Sequence, residues 1–160
     1  MKVALVTEHL SLAQVPKAIN KDLITRKTTL LHKALIEDFN CPTQKIALLA
    51  LNPHNGDRGL LGSEEKEIIV PSIQAIRSSI STVFGPYAAD GFFGLHQYKA
   101  FDATLAMYHD QGLIPFKSTN FGGVNFTAGL PIIRTSPDHG PAYDKVCLLY
   151  TSDAADESVC

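Results

Sequence analysis

Three short, almost unbroken apolar runs punctuate the chain: Lys2–Thr7 (KVALVT), Lys45–Leu51 (KIALLAL) and Asp102–Met107 (DATLAM). Runs of this length without polar alternation predict strands covered on both faces, as in a parallel sheet. Between the first two, Leu23, Leu30, Leu31, Ala34, Leu35 and Phe39 recur at helical spacing. They predict a helix from Lys21 to about Phe39, with Asn20 as N-cap and Asn40-Cys41-Pro42 as its end. Ser63 reads as the cap of a further helix, with Glu64 and Glu65 in its first turn and Pro71 interrupting its pattern. Val83–Pro86 is expected to be extended. Val124–Thr127 and Pro131–Arg134 are shorter strand candidates around Gly129. Strands alternating with helices give an α/β layered fold with a largely parallel sheet. In such sheets ligands collect beyond the carboxyl ends of the strands.

What lies there changes the picture. Each of the three clearest strands is followed by a histidine: His9, His54 and His109. Imidazole is a common ligand for transition metals, and three can hold a divalent ion while leaving a position open for substrate oxygens. The spacing is long and forms no local metal motif, so loop histidines bonded to backbone remain the alternative reading of these residues. His32 falls inside the long helix, and His96 in a turn. Asp57 and Asp110 lie close to the histidines in sequence, and Lys117, Asn125 and Arg134 follow His109. Cations of this kind grip phosphate or carboxylate, although solvated loop charges would look the same. Gly56, Gly59 and Gly62, and Gly122-Gly123, form neither a P-loop nor a G-x-G-x-x-G, which counts against a Rossmann nucleotide site.

Composition narrows the class. The 160 residues are 45% hydrophobic and 19% charged, with a net charge of −2. That fits a globular chain and gives no electrostatic case for nucleic-acid binding. No apolar run approaches a membrane span, and the N-terminus has no signal-peptide pattern. Cys41, Cys147 and Cys160 are odd in number and far apart. They argue against a disulfide framework and for a cytoplasmic location.

Longer motifs add more. LNPHNGDRGLLGSEE, DATLAMYHDQGLIPFK and GVNFTAGLPIIRTSPDHG, together with the N-terminal TEHLSLAQVPKAI, strongly resemble the PdxA family of vitamin B6 synthesis, the 4-hydroxythreonine-4-phosphate dehydrogenases. The likeness runs from about Val3 to Tyr143. It implies an isocitrate/isopropylmalate dehydrogenase-like α/β fold, present in part, because the family's N-terminal region has no counterpart and Met1 reads as an internal methionine. It implies that His9, His54 and His109 are ligands of a divalent metal (Zn, Mg, Co, Mn or Ni) at a site shared across a homodimer. Lys117, Asn125 and Arg134 match substrate-binding residues, and Asp90 and Asp110 match acidic residues near the site. Asp110 and Lys117 are the candidates for assisting proton transfer. The Lys117–Asn125 stretch is one residue shorter than in some members.

The resemblance also implies NAD, or NADP, held by a loop that begins at Asp138-His139-Gly140-Pro141-Ala142-Tyr143, with His139, Gly140 and Ala142 as contacts. The family's A-G-x-G continuation is missing. Residues 1–144 are therefore expected to form a partial family domain, and 145–160 a disordered tail foreign to it. The implied reaction is oxidation, then decarboxylation, of 4-phosphooxy-L-threonine, with this chain alone inactive. A related dehydrogenase of another phosphorylated hydroxy acid, such as a phosphotetronate, and a non-catalytic metal-binding fragment are the alternatives. Neither nucleic acid nor membrane is expected as a partner.

Overall fold

Four parallel strands, β1 (Val3–Leu5), β2 (Ile46–Leu49), β3 (Val83–Tyr87) and β4 (Ala103–Ala106), form one sheet in the order β1-β4-β2-β3. The computed structural model describes residues 1–119 and 122–137. The apolar runs are thus strands, each a residue or two shorter at its ends than the pattern predicts. β4 lies between β1 and β2, so the last strand of the sheet joins the first two.

Strand alternation sorts the core onto two faces. Ile46 and Leu48 of β2 pack with Ile24 and Leu35 of the long helix α2 (Lys21–Glu37), with Leu105 and Met107, and with Ile69, Ile73 and Ile76. Ala47, Leu49 and Ala106 turn to the other face, under Phe92. There Tyr87, Phe92, Phe93 and Phe101 stack ring against ring. A short helix α1 (Val15–Ala18) precedes α2. Asn20 caps α2 as predicted, its side chain accepting from the Leu23 amide at 2.9 Å. Removing such a cap costs about 1 kcal/mol.

Three elements differ from the sequence reading. The helix after Ser63 opens with a π turn, Glu65–Ile69, before α3 (Val70–Arg77), and no side-chain cap is made. Pro71, which cannot donate to the ladder, sits directly after that widened turn instead of interrupting the helix. The segment after the third apolar run, to which the pattern assigns no element, forms helix α5 (His109–Thr119). The strand expected at Pro131–Arg134 is displaced: β6 (Thr135–Pro137) pairs antiparallel with β5 (Val124–Phe126). Proline is a poor ladder member, and Gly129, at φ +82°, turns the chain against Leu30. Helix α4 (Ala89–Gly94) completes the fold. Cys41 is a buried free thiol. The expected tail, with Cys147 and Cys160, lies outside the described residues.

Candidate metal and substrate site

β1 and β4 stay paired past their strand ends. Val6 and Thr7 donate backbone N–H bonds to the carbonyls of Ala106 (2.8 Å) and Met107 (3.2 Å), and the Thr7 hydroxyl also donates to Met107 at 2.7 Å. The segments carrying His9 and His109 therefore leave the sheet side by side. Their ring centres are 6.1 Å apart. Two imidazoles on one ion, with nitrogens about 2.0–2.1 Å from it, place ring centres about 5–6 Å apart. His109 Nδ1 and Asp110 Oδ1 are 2.7 Å apart, so the carboxylate orients the ring and leaves Nε2 for another partner. A shallow cleft joins His9, His109, Asp110, Tyr108 and Glu8. The Lys27 ammonium, bonded to Glu8 at 2.7 Å, holds the Glu8 carboxyl below its ordinary value.

His109 opens α5, and two neighbours secure that helix. Gln111 accepts from the Met107 amide (2.7 Å) and donates to the Ala50 carbonyl (2.6 Å), tying the ends of β4 and β2 together. Gly112 lets the helix approach the sheet closely. A Cβ there would lie 2.7 Å from Val3 Cγ1 and 3.0 Å from both Ala106 Cβ and Leu5 Cδ2. Asp90, in the first turn of α4, faces a second cleft with Asp110, Gln111, Tyr108 and Phe93. The two clefts share Tyr108 and Asp110.

His54 is presented differently. It lies in Pro53–Gly59, where His54, Asn55, Gly56, Asp57 and Arg58 all have positive φ, from 41° to 75°. Each non-glycine residue in this left-handed region costs on the order of 1 kcal/mol. His54 is exposed and lines neither cleft. Among the described residues, no three His, Cys, Asp or Glu side chains are grouped to hold a metal ion. Two of the three expected donors, His9 and His109, thus lie side by side, and the third does not join them within one chain.

Lys117, Asn125 and Arg134 lie elsewhere. Lys117 is eight positions along α5 from His109, about 12 Å at the rise of an α-helix. β5, with Asn125, docks on the end of α2, where Phe126 and Phe39 have ring centres 4.9 Å apart. Lys2, just before β1, places its ammonium 5.3 Å from the same Phe39 ring. This is the amino end of the sheet, opposite the His9–His109 pair. Arg134 is bonded within the hairpin, its carbonyl accepting from the Thr127 amide at 3.0 Å. His139, Gly140 and Ala142 lie outside the described residues.

Comparison with known proteins decides the family. The model of the family described as pyridoxal phosphate biosynthetic protein PdxA matches residues 1–159. The chain belongs to the PdxA family. A curated 4-hydroxythreonine-4-phosphate dehydrogenase of Bacteroides thetaiotaomicron is 52% identical over 144 residues, covering 89% of this chain and 40% of the relative. The crystal structure of the enzyme of that name from Klebsiella pneumoniae matches with a TM-score of 0.78 at 40% identity, over 89% of this chain and 43% of that one. A terephthalate 1,2-cis-dihydrodiol dehydrogenase from Burkholderia xenovorans LB400 also matches, with a TM-score of 0.66 at 30% identity, over 72% of this chain and 36% of that one. The chain spans about two fifths of the length of the curated relatives it matches. The parallel α/β architecture is accordingly part of the PdxA fold.

Two supporting residues of this PdxA chain escaped the sequence reading in their structural roles. Gln111 is embedded in the H-D-Q-G motif, where only the histidine and aspartate drew attention. Glu65 was read as a helix-dipole residue, yet it is 4% exposed and bonded to the His54 loop. A carboxylate that far inside, one helical turn after a Gly-rich loop, is the signal that could have been noticed.

Proposed function

We propose that this chain contributes the metal and substrate part of an NAD- or NADP-dependent dehydrogenase that oxidises, then decarboxylates, 4-phosphooxy-L-threonine in pyridoxal phosphate biosynthesis. The supporting observation is the His9–His109 pair, with His109 oriented by Asp110, in a chain of the PdxA family. His9, His109 and His54 would hold the divalent ion, which when bound polarises substrate oxygens as a Lewis acid. His139, Gly140 and Ala142 would hold NAD or NADP, which when bound would supply the hydride acceptor.

The chain's own residues do the rest. Asp110 fixes the His109 tautomer and, with Asp90, places negative charge where a substrate ammonium or hydroxyl proton would sit. Lys117 and Arg134 suit the phosphate and carboxylate of such a substrate, and Asn125 adds an amide. Proton removal falls to Asp110 or Lys117. Because these two groups of residues lie at opposite ends of one sheet, one small substrate meets both only where two copies join. We therefore propose a homodimer in which a second copy supplies His54 or the Lys117–Asn125–Arg134 set.

The division at residue 144 stays part of the proposal. Alignments to the curated relatives cover about 90% of the chain, whereas the family model runs to 159. A cytoplasmic location belongs here too. Among the described residues no helix is long and apolar enough to cross a membrane.

The test is calorimetric binding of 4-phosphooxy-L-threonine to the purified chain with and without Mg²⁺ or Zn²⁺, alongside NADH formation. We expect metal-dependent binding, lost in His109→Ala, and no NADH from this chain alone. Metal-independent binding would overturn the site. The likeness to a dihydrodiol dehydrogenase favours one second reading, a related dehydrogenase of another hydroxylated acid. Tighter binding of a phosphotetronate than of 4-phosphooxy-L-threonine would select it. Absence of binding to either would leave a metal-binding fragment.

A further inference from the structure

The loop that carries His54 is held by one side chain. Glu65 Oε1 accepts from the backbone amides of Leu51 (2.8 Å) and Asn52 (2.7 Å), and Oε2 accepts from Asn52 Nδ2 at 2.9 Å. Asn52 Nδ2 also donates to Glu64 at 2.8 Å. These bonds seize the chain immediately before Pro53, and the left-handed run begins at the next residue, His54. The far side of the run is closed on the same carboxylate. A Cβ on Gly56 would lie 2.6 Å from Glu65 Oε2, and a Cβ on Gly62 would lie 2.5 Å from Asn52 Nδ2. Glu65 opens the π turn Glu65–Ile69, and its carboxylate is buried against the residues just after β2. Five consecutive left-handed residues do not persist unless their surroundings over-determine them. Glu65, buried and fully hydrogen-bonded, is the group that does so.

We infer that Glu65 is the positioning residue of His54: its carboxylate sets the left-handed turn and so fixes where the His54 imidazole is presented. This rests on the proposed role of His54 as a metal ligand, and the test separates the two. The whole 160-residue chain is titrated with Co²⁺ alone, following the visible cobalt bands, and amide exchange is measured without metal. His54→Ala reports on the ligand role; unchanged cobalt bands in that variant sink it. Glu65→Ala is expected to weaken Co²⁺ binding about 10-fold, as loss of an outer-shell partner does. It should also speed exchange at Leu51 and Asn52 about 10-fold or more, while Val6 and Thr7 beside His9 keep their rates. Glu65→Gln retains the acceptor for both backbone amides but opposes two donors at Asn52, so exchange should return to within about 3-fold of the parent.

If Glu65→Ala fails to fold, Glu65→Gln carries the test through a smaller change in the same two amides. The inference is overturned if neither variant alters Leu51 and Asn52. It is also overturned if exchange rises equally across the sheet, or if His54→Ala changes the cobalt bands and Glu65→Ala does not.

Discussion

His109 and His54 follow buried parallel strands in the same way, yet the molecule presents them by opposite means. His109 opens a regular helix seated directly on β1 and β4, and its ring is oriented by the next residue, Asp110. His54 stands on a left-handed turn with little packing of its own, held at its root by a carboxylate from another element. The first arrangement is stable wherever helix and sheet pack. The second exists only while Glu65, Asn52 and two glycines cooperate. A strand followed by histidine is thus one sequence signature with two physical realisations, and they should fail differently.

The comparison breaks most severely at Gly56. Gly56→Ala combines a φ of +75° with a Cβ placed 2.6 Å from the locked Glu65 carboxylate. It should lose about 2–3 kcal/mol in urea unfolding. Gly59→Ala, with φ +100° but nothing within 4 Å, should lose only about 1 kcal/mol. Equal losses would mean that the turn is not braced by Glu65. Gly112→Ala attacks the other side, and overpacking against Val3, Leu5 and Ala106 should cost about 1–3 kcal/mol. Here the loss is shared by the whole sheet, and hydrogen exchange should rise at β1 and β4 more than at Leu51.

Smaller effects sharpen the contrast. Asp110→Ala should change stability by less than about 1 kcal/mol, since the pair is exposed, and should alter the ¹⁵N tautomer signature of His109 while leaving that of His54 unchanged. A shift at both rings would mean that they are already coupled. The smallest effect concerns pH. Glu8 titrates below its ordinary value because it accepts a hydrogen bond from Lys27. Its contribution is complete above the ordinary glutamate value of 4.5 and is lost as pH falls through the lower folded value. Lys27→Met should flatten that part of the stability–pH curve; an unchanged acid limb would show that the pair contributes nothing.

Much of this was legible in the chain. The apolar runs located β1, β2 and β4, Asn20 marked the start of α2, and the rule of carboxyl strand ends directed attention to His9 and His109. Asn20 and the runs act through local energetics, which sequence reports well. Sheet order was not legible, because inserting β4 between β1 and β2 depends on contacts about 100 residues apart. α5 was not legible because Gly112 and Pro115 are poor helix formers, whereas close packing on Val3 and Ala106 favours the helix. The left-handed turn had Asn55-Gly56-Asp57 as a hint, but those residue types adopt positive φ singly, and a run of five is not legible from them. Lys117, Asn125 and Arg134 looked like neighbours of His109 because they follow it in sequence. A helix running back along the sheet and a hairpin at its far end separate them.

The order β1-β4-β2-β3 also sets a timetable. Among the described residues β1 has no strand partner other than β4. Its pairing with β4 therefore waits, while the chain is being synthesised, until Ala106 has emerged. The His9 segment is thus joined to the His109 segment only late, by a slow, non-local closure. Synthesis interrupted before residue 103 would yield chains in which α2 and the β2–β3 pair can assemble, but in which His9 lacks the β4 contacts that set it beside His109.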